Sequence, residues 1–153
     1  MSMTPLFRLV YVSTIASALS DVELLALVGS SQMRNRRLDV TGVLVRGEAH
    51  FAQMLEGRRV AIEAVMDRVA RDRHHVDIVR LAMLPITRRQ CGRWEMRLVV
   101  RDELDEELAR LRAANCLESL DLGHLVEDWD LQDAVSGHGM RCSPVETDCQ
   151  FRF

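Results

Sequence analysis

Apolar and polar positions along the chain follow two periods, and the switches between them divide it into elements. Leu6 to Ser13 is rich in Leu, Phe, Val and Tyr and reads as a strand. Ser20-Asp21-Val22-Glu23 has the form of a capping box and opens a helix to about Met33. Val40 to Val45 is a second strand, Arg46-Gly47-Glu48 a tight hairpin turn, and His50 to Glu56 a third strand. Gly57 breaks it, and Arg58 to about Arg71 carries Ile62, Val65, Met66 and Val69 at helical spacing. Val76 to Leu84 is a fourth strand, ended by Pro85, and Trp94 to Val100 a fifth. The order βαββαββ predicts an α+β domain, one sheet with two helices on one face.

Side chains alternate across a strand, so parity assigns them to faces. Phe7, Leu9, Tyr11 and Ser13 share a side, as do Phe51, Gln53 and Leu55, and Trp94, Met96, Leu98 and Val100. Val10, Val12, Ala52, Met54 and Val99 make the opposite side apolar too. A sheet with two apolar faces needs two covers. The two helices supply one. Asp102 to about Asn115 (Leu104, Leu108, Leu111) and Leu120 to about Val135 (Leu122, Leu125, Val126, Trp129) are amphipathic and are expected to cap the back. From Ser136 onward, Gly, Ser, Pro and scattered charge predict a flexible tail. The expected organisation is a core over 1–101, capping helices over 102–135 and a tail over 136–153.

The totals narrow the chemistry. The chain has 153 residues, 48% hydrophobic, with a net charge of -3, so it lacks the basic footprint of a nucleic-acid binder. All 20 positive side chains are arginine, which removes Schiff-base chemistry and the lysine of a phosphate-binding loop. With neither a signal peptide nor a run long enough to span a bilayer, a cytoplasmic protein without membrane association is expected. The four cysteines, Cys91, Cys116, Cys142 and Cys149, are spaced irregularly and read as reduced thiols. His138, Cys142 and Cys149 do not have a familiar zinc spacing, so no metal is expected there.

Polar residues at core positions stand out. Tyr11, the only tyrosine, shares the inner face with Gln53. A buried glutamine must satisfy several hydrogen-bonding groups, and each one unpaired costs about 1–3 kcal/mol. Asn35 lies just past the expected end of the first helix, and Ser31 and Asn35, at i and i+4, share a helical face with Leu24 and Val28. These residues either pair with one another or surround the polar edge of a planar ligand. An isoalloxazine ring has such an edge, but spacing does not select a flavin over another heterocycle.

The residues together resemble the BLUF family of blue-light sensors that use FAD. The matching pieces, in order, are Leu9-Val10-Tyr11-Val12-Ser13, Ser30-Ser31-Gln32-Met33-Arg34-Asn35 and Val40-Thr41-Gly42-Val43-Leu44. After them come Phe51-Ala52-Gln53-Met54-Leu55-Glu56-Gly57, Arg71-Asp72-Arg73-His74-His75 and Trp94-Glu95-Met96. The resemblance runs from about residue 6 to 101. It implies a ferredoxin-like fold with the flavin between the two helices. It makes Tyr11 the photochemical electron donor and Gln53 its hydrogen-bonded partner beside the flavin. Asn35 would hold the ring's pyrimidine edge, and Met96 or Trp94 would relay the change at Gln53. Ser31, Arg34, Arg68, Arg71 and Asp72 complete the implied flavin-binding set. Arg34 occupies a site where His or Asn is common in the family. His74 and His75 are read as surface or loop residues.

The implied mechanism passes an electron and a proton from Tyr11 to the excited flavin. The radical pair recombines after Gln53 has rotated or changed tautomer, and the new hydrogen bond to the flavin carbonyl gives a slightly red-shifted state that returns thermally in the dark. The implied cofactor is FAD, with FMN and riboflavin left open because the ring contacts are common to all three. Residues 102–153 leave no room for a cyclase, phosphodiesterase or DNA-binding domain. Output is therefore expected through an unidentified partner protein, with a homo-oligomer also expected and no substrate turned over. The rival readings are a ferredoxin-like dimerisation scaffold without photochemistry, a ferredoxin-like hydrolase such as an acylphosphatase, and a flavin oxidoreductase.

Overall fold

The structure is a computed structural model that describes residues 3–92 and 94–114. Strand β1 (Leu6–Ile15) is followed by helix α1 (Asp21–Leu38), strands β2 (Thr41–Arg46) and β3 (His50–Arg58), and helix α2 (Arg59–Arg71). Strand β4 (His75–Ile86), strand β5 (Arg97–Val100), a short 3-10 turn and helix α3 (Asp105–Ala114) complete it. The sheet order is β4-β1-β3-β2-β5. β1 is antiparallel to β3 and β4, β2 is antiparallel to β3, and β5 joins β2 in parallel. This is the α+β, ferredoxin-like arrangement the element order predicts.

The capping box forms. Ser20 Oγ accepts from the Glu23 N–H at 3.2 Å, and the Glu23 carboxylate accepts from the Ser20 N–H at 2.9 Å. Two of the donors left over at a helix start are satisfied. α1 then runs five residues past the expected Met33, because no breaker intervenes before Asp39. Asp39 adopts the left-handed conformation (φ 54°), and its N–H closes onto the carbonyls of Asn35 and Arg36. Asn35 is therefore inside the helix, not beyond it.

Other boundaries also differ from the sequence pattern. Gly57 does not break β3, which runs through it to Arg58 with Gly57 opposite Phe7. Pro85 does not end β4, which continues to Ile86. β4 is an edge strand, and an edge tolerates a residue without an N–H. β5 begins only at Arg97, so Trp94, Glu95 and Met96 belong to the connector before it.

Both faces of the sheet are buried. On one, Leu9, Tyr11, Leu44, Phe51 and Leu55 pack with Leu24 and Val28 of α1 and Ile62, Val65, Met66 and Val69 of α2. On the other, Val10, Val12, Val43, Val45, Ala52 and Met54 pack with Leu108 and Leu111 of α3. Each buried leucine there contributes about 1.5–3 kcal/mol. Gly47 lets α3 dock. A Cβ at that position would come within 2.6 Å of Asp105 Oδ1, which accepts from the N–H of Ala49 (2.8 Å) and of His50 (3.1 Å). The helix expected over 120–135, the tail over 136–153, and Cys116, Cys142 and Cys149 lie outside the described residues. Cys91 is a buried free thiol.

Candidate functional site

A cleft opens between α1 and α2 above the helix-bearing face of the sheet. It is narrow, with about 20 Å³ of free cavity volume between the closed-in side chains. Leu27, Ser31 and Arg34 line it from α1, Arg68, Val69 and Asp72 from the end of α2, and Leu44, Gln53 and His75 from the sheet. Leu27, Leu44 and Val69 give it an apolar part, and six polar or charged side chains converge on the rest.

Tyr11 and Gln53 are directly opposite in the β1–β3 register and both are buried. The Tyr11 hydroxyl donates to Gln53 Oε1. With its carbonyl turned to the phenol, the amide presents Nε2 to Met96, donating to the thioether sulfur at 3.2 Å. Burial pushes the Tyr11 phenol well above its ordinary range, opposed by the nearby Arg34 charge and reinforced by Asp72. The phenol therefore holds its proton at neutral pH.

Met96, not Trp94, is the neighbour of Gln53. Met96 packs in the core between the sheet and α1–α2, and its carbonyl accepts from Gln32 Nε2 of α1 at 3.1 Å. Trp94 packs against the cluster on the opposite face, with the Arg97 guanidinium 4.6 Å from its ring centroid. The parity that paired them fails because both precede the first residue of β5, where strand alternation does not yet hold.

The positive groups converge on the cleft. Arg34 Nη2 is 3.4 Å from Ser31 Oγ. Partial burial, then the neighbouring Arg68 charge, lowers the Arg34 guanidinium from its usual range. Asp72, the C-cap of α2, accepts from the His74 N–H at 2.9 Å and lies 2.7 Å from His74 Nδ1. Burial works against its ionised form, but these bonds and the nearby histidines hold its carboxyl below the usual range. Arg71 is exposed and does not line the cleft. Asn35 is fully buried but also absent from the cleft wall; its Nδ2 donates to the Glu95 carbonyl at 2.6 Å.

His75 is the residue that the sequence reading misplaced. It opens β4, opposite Ile15, and is buried in the cleft wall rather than on the surface. Its Nδ1 lies 2.8 Å from Ser13 Oγ, and its ring packs against Phe51 with centroids 4.8 Å apart. Burial lowers its pKa to about 4, against the pull of Asp72 and with the help of His74. The imidazole is neutral at pH 7. Two adjacent histidines differ by a half-turn of a strand, and only the strand boundary tells which one points inward.

Among the described residues several buried polar atoms have no hydrogen-bond partner, and two of them, Arg34 Nε and Asn35 Oδ1, belong to adjacent residues of α1. Such atoms are rare in a finished core and mark a place where a polar group is expected. Together with the Tyr11–Gln53 pair, the cationic Arg34 and Arg68, and the apolar Leu27, Leu44 and Val69, this donor and acceptor set is compatible with a flavin. Among the described residues, no group of three or more His, Cys, Asp or Glu could hold a metal, and no helix is long and apolar enough to cross a membrane. The zinc candidates His138, Cys142 and Cys149 are outside the described residues.

Comparison with known proteins agrees with the geometry. The family model for sensors of blue light using FAD (BLUF) matches residues 6–97. The beta subunit of a photoactivated adenylate cyclase from Euglena longa is 32% identical over 84 residues, 55% of this chain but 10% of that protein. A blue light- and temperature-regulated antirepressor of Escherichia coli is 30% identical over 83 residues, 51% of this chain and 21% of that protein. The chain thus matches only a small part of the length of these relatives. Among solved structures, the dark state of the BLUF protein BlrB superposes with a TM-score of 0.64 at 31% identity, covering 77% of this chain and 89% of that one. Klebsiella pneumoniae BlrP1, solved with FMN and cyclic diGMP, gives 0.58 at 29%, covering 69% and 30%.

Proposed function

The chain belongs to the BLUF family of blue-light sensors using FAD, and from that premise we propose that it is a photoreceptor switched by Tyr11 and Gln53. The observation that carries this is the buried chain Tyr11 hydroxyl to Gln53 carbonyl, Gln53 amide to Met96 sulfur. A flavin bound between α1 and α2 supplies blue-light absorption and an excited state that accepts an electron. Everything else falls to the protein. Tyr11 is an oxidisable phenol that keeps its proton until the electron leaves, so the two depart together. Gln53 is both acceptor and donor. Once the phenol no longer donates, the Gln53 amide has no reason to keep its orientation, and rotation or tautomerisation exchanges its partners; the electron and proton then return to Tyr11, and the rearranged amide is what persists. Met96 then loses or changes a hydrogen bond, and the connector into β5 receives the change. This is a two-state hydrogen-bond network read by a packed segment.

Arg34 and Arg68 line the cleft with Ser31 and Asp72, and in this reading they hold the ribityl and phosphate portion. Asn35 and Arg71 enter the set only if they move towards the bound ring. FAD is the expected flavin; FMN and riboflavin share the ring and would support the same photochemistry. No substrate is turned over. The signal passes to a partner protein in the cytoplasm, through a surface that includes α3, with self-association of the chain as part of the assembly. The test is a visible spectrum of the purified protein, dark and just after blue light. A flavin band that moves slightly to the red and returns in the dark is the expected result. A band that only bleaches indicates redox turnover, and no band after adding FAD overturns the reading.

A further inference from the structure

The connector before β5 is held from the face of the sheet opposite the cleft, by a charge buried in an apolar environment. Glu56 lies on β3, three residues after Gln53, and points to the other side of the sheet. It is fully buried, which an ionised carboxylate tolerates only when thoroughly paired. One oxygen accepts from Arg8 Nε at 2.8 Å and Nη2 at 2.6 Å. The other accepts from the backbone N–H of Gln90 at 2.8 Å and of Cys91 at 2.9 Å. All four bonds are charge-assisted, the stronger kind. Arg89 fastens the same stretch from outside, donating at 3.0 Å to the Glu56 carbonyl and to Thr41 Oγ1, and at 2.7 Å to the Asp39 carbonyl. From Cys91 a short path leads inward, since its carbonyl accepts from the Trp94 N–H (3.1 Å) and the Trp94 carbonyl accepts from the Gly42 N–H (2.9 Å). Two residues later comes the Met96 sulfur that receives the Gln53 amide.

One strand therefore touches the connector twice, from opposite faces. Gln53 meets its end at Met96, and Glu56 fixes its start at Gln90 and Cys91. We propose that Glu56 and Arg89 are positioning residues that set where the Met96 sulfur stands against Gln53, and so how firmly the switch returns to its dark arrangement. Neither touches the cleft; both act through the connector. The proposal rests on the photoreceptor reading given above.

Glu56→Gln is the direct test, because it keeps the size but replaces one acceptor oxygen with an NH2 that faces other donors. Arg89→Ala loosens the same connector and leaves the buried carboxylate in place, so it serves where Glu56→Gln folds poorly. In flavin-free protein, amide hydrogen exchange at Gln90 and Cys91 should rise by about tenfold or more in Glu56→Gln; unchanged exchange overturns the clamp whatever the light response. In flavin-loaded protein, either variant should keep the size of the red shift but slow dark recovery by about threefold or more, the scale of one weakened hydrogen bond. In a Met96→Ala background that slowing should vanish. Recovery unchanged or faster, or slowing that persists without Met96, overturns the positioning role. A parent protein with slow Gln90 and Cys91 exchange but no photocycle would overturn the photoreceptor reading and the switch role while leaving the clamp as architecture.

Discussion

Tyr11 and Gln53 face each other across the β1–β3 ladder, one phenol and one amide joined by a single buried hydrogen bond, with Gln53 lining the cleft and Tyr11 buried behind it. A change at either one is therefore forced onto the other.

Tyr11→Phe should keep the fold and the flavin but abolish the light-induced red shift. The ring still fills the core, and only the hydroxyl is lost. Because Tyr11 is the only tyrosine, no second phenol can substitute. The check is a light-minus-dark difference spectrum; a variant that still shows the parent's red shift would remove Tyr11 from the mechanism.

Gln53→Leu should also remove the shift, for a different reason. Leucine can neither accept from the phenol nor donate to Met96. It leaves the Tyr11 hydroxyl buried without a partner, which costs about 1–3 kcal/mol and should lower the thermal midpoint. Calorimetry and the difference spectrum together test this. Parent-like photochemistry in the leucine variant would place the switch elsewhere.

His75 gives the fold a pH dependence with a definite sign. Its folded pKa is about 4, below the 6.5 of an unperturbed histidine. Between those values the unfolded chain takes up a proton that the folded one refuses, so stability falls as pH falls. The contribution is fully present above pH 6.5 and is lost progressively down to about pH 4. At about 1.36 kcal/mol per pKa unit it is on the order of 3 kcal/mol. His75→Asn can still pair with Ser13 but does not titrate. Between about pH 4 and 6.5 the parent's thermal midpoint should therefore rise more steeply with pH than the variant's, and above pH 6.5 the His75 contribution adds no further slope. Parallel curves would mean that His75 is not buried as described.

Most of the architecture was legible because it depends on local pattern. The period-2 runs of β1 and β3 and the helical stripe of α2 each satisfy one rule over many residues, and the structure follows them. The Tyr11–Gln53 pairing was legible too, since parity put both on one apolar face. What pattern did not reach depends on where an element stops. α1 outran Met33, which moved Asn35 from a loop into a helix. The start of β5 decided that Met96 and not Trp94 faces Gln53. The boundary of β4 decided that His75 and not His74 points inward. Glu56 was missed in a different way. Its partners at Arg8, Gln90 and Cys91 are distant in sequence, and a charge in an apolar strand gives no sign of what neutralises it.

The division of labour between Met96 and Trp94 yields the last prediction. Met96→Leu keeps an apolar side chain of nearly the same volume, a swap cores tolerate at under about 1.5 kcal/mol. What it loses is the sulfur that accepts from Gln53 Nε2. The dark arrangement of the amide is then held by the phenol alone, and the position of the dark flavin band and the recovery rate should both change. Trp94→Phe sits on the other face, against the apolar cluster there and under Arg97. It should leave the band and its light-induced shift as in the parent while lowering stability, because buried aromatic area is lost there. Recording both spectra and both thermal midpoints separates the two roles. If Trp94→Phe altered the flavin band and Met96→Leu did not, the relay would run through the tryptophan, and the connector would have to turn over when the ring is bound.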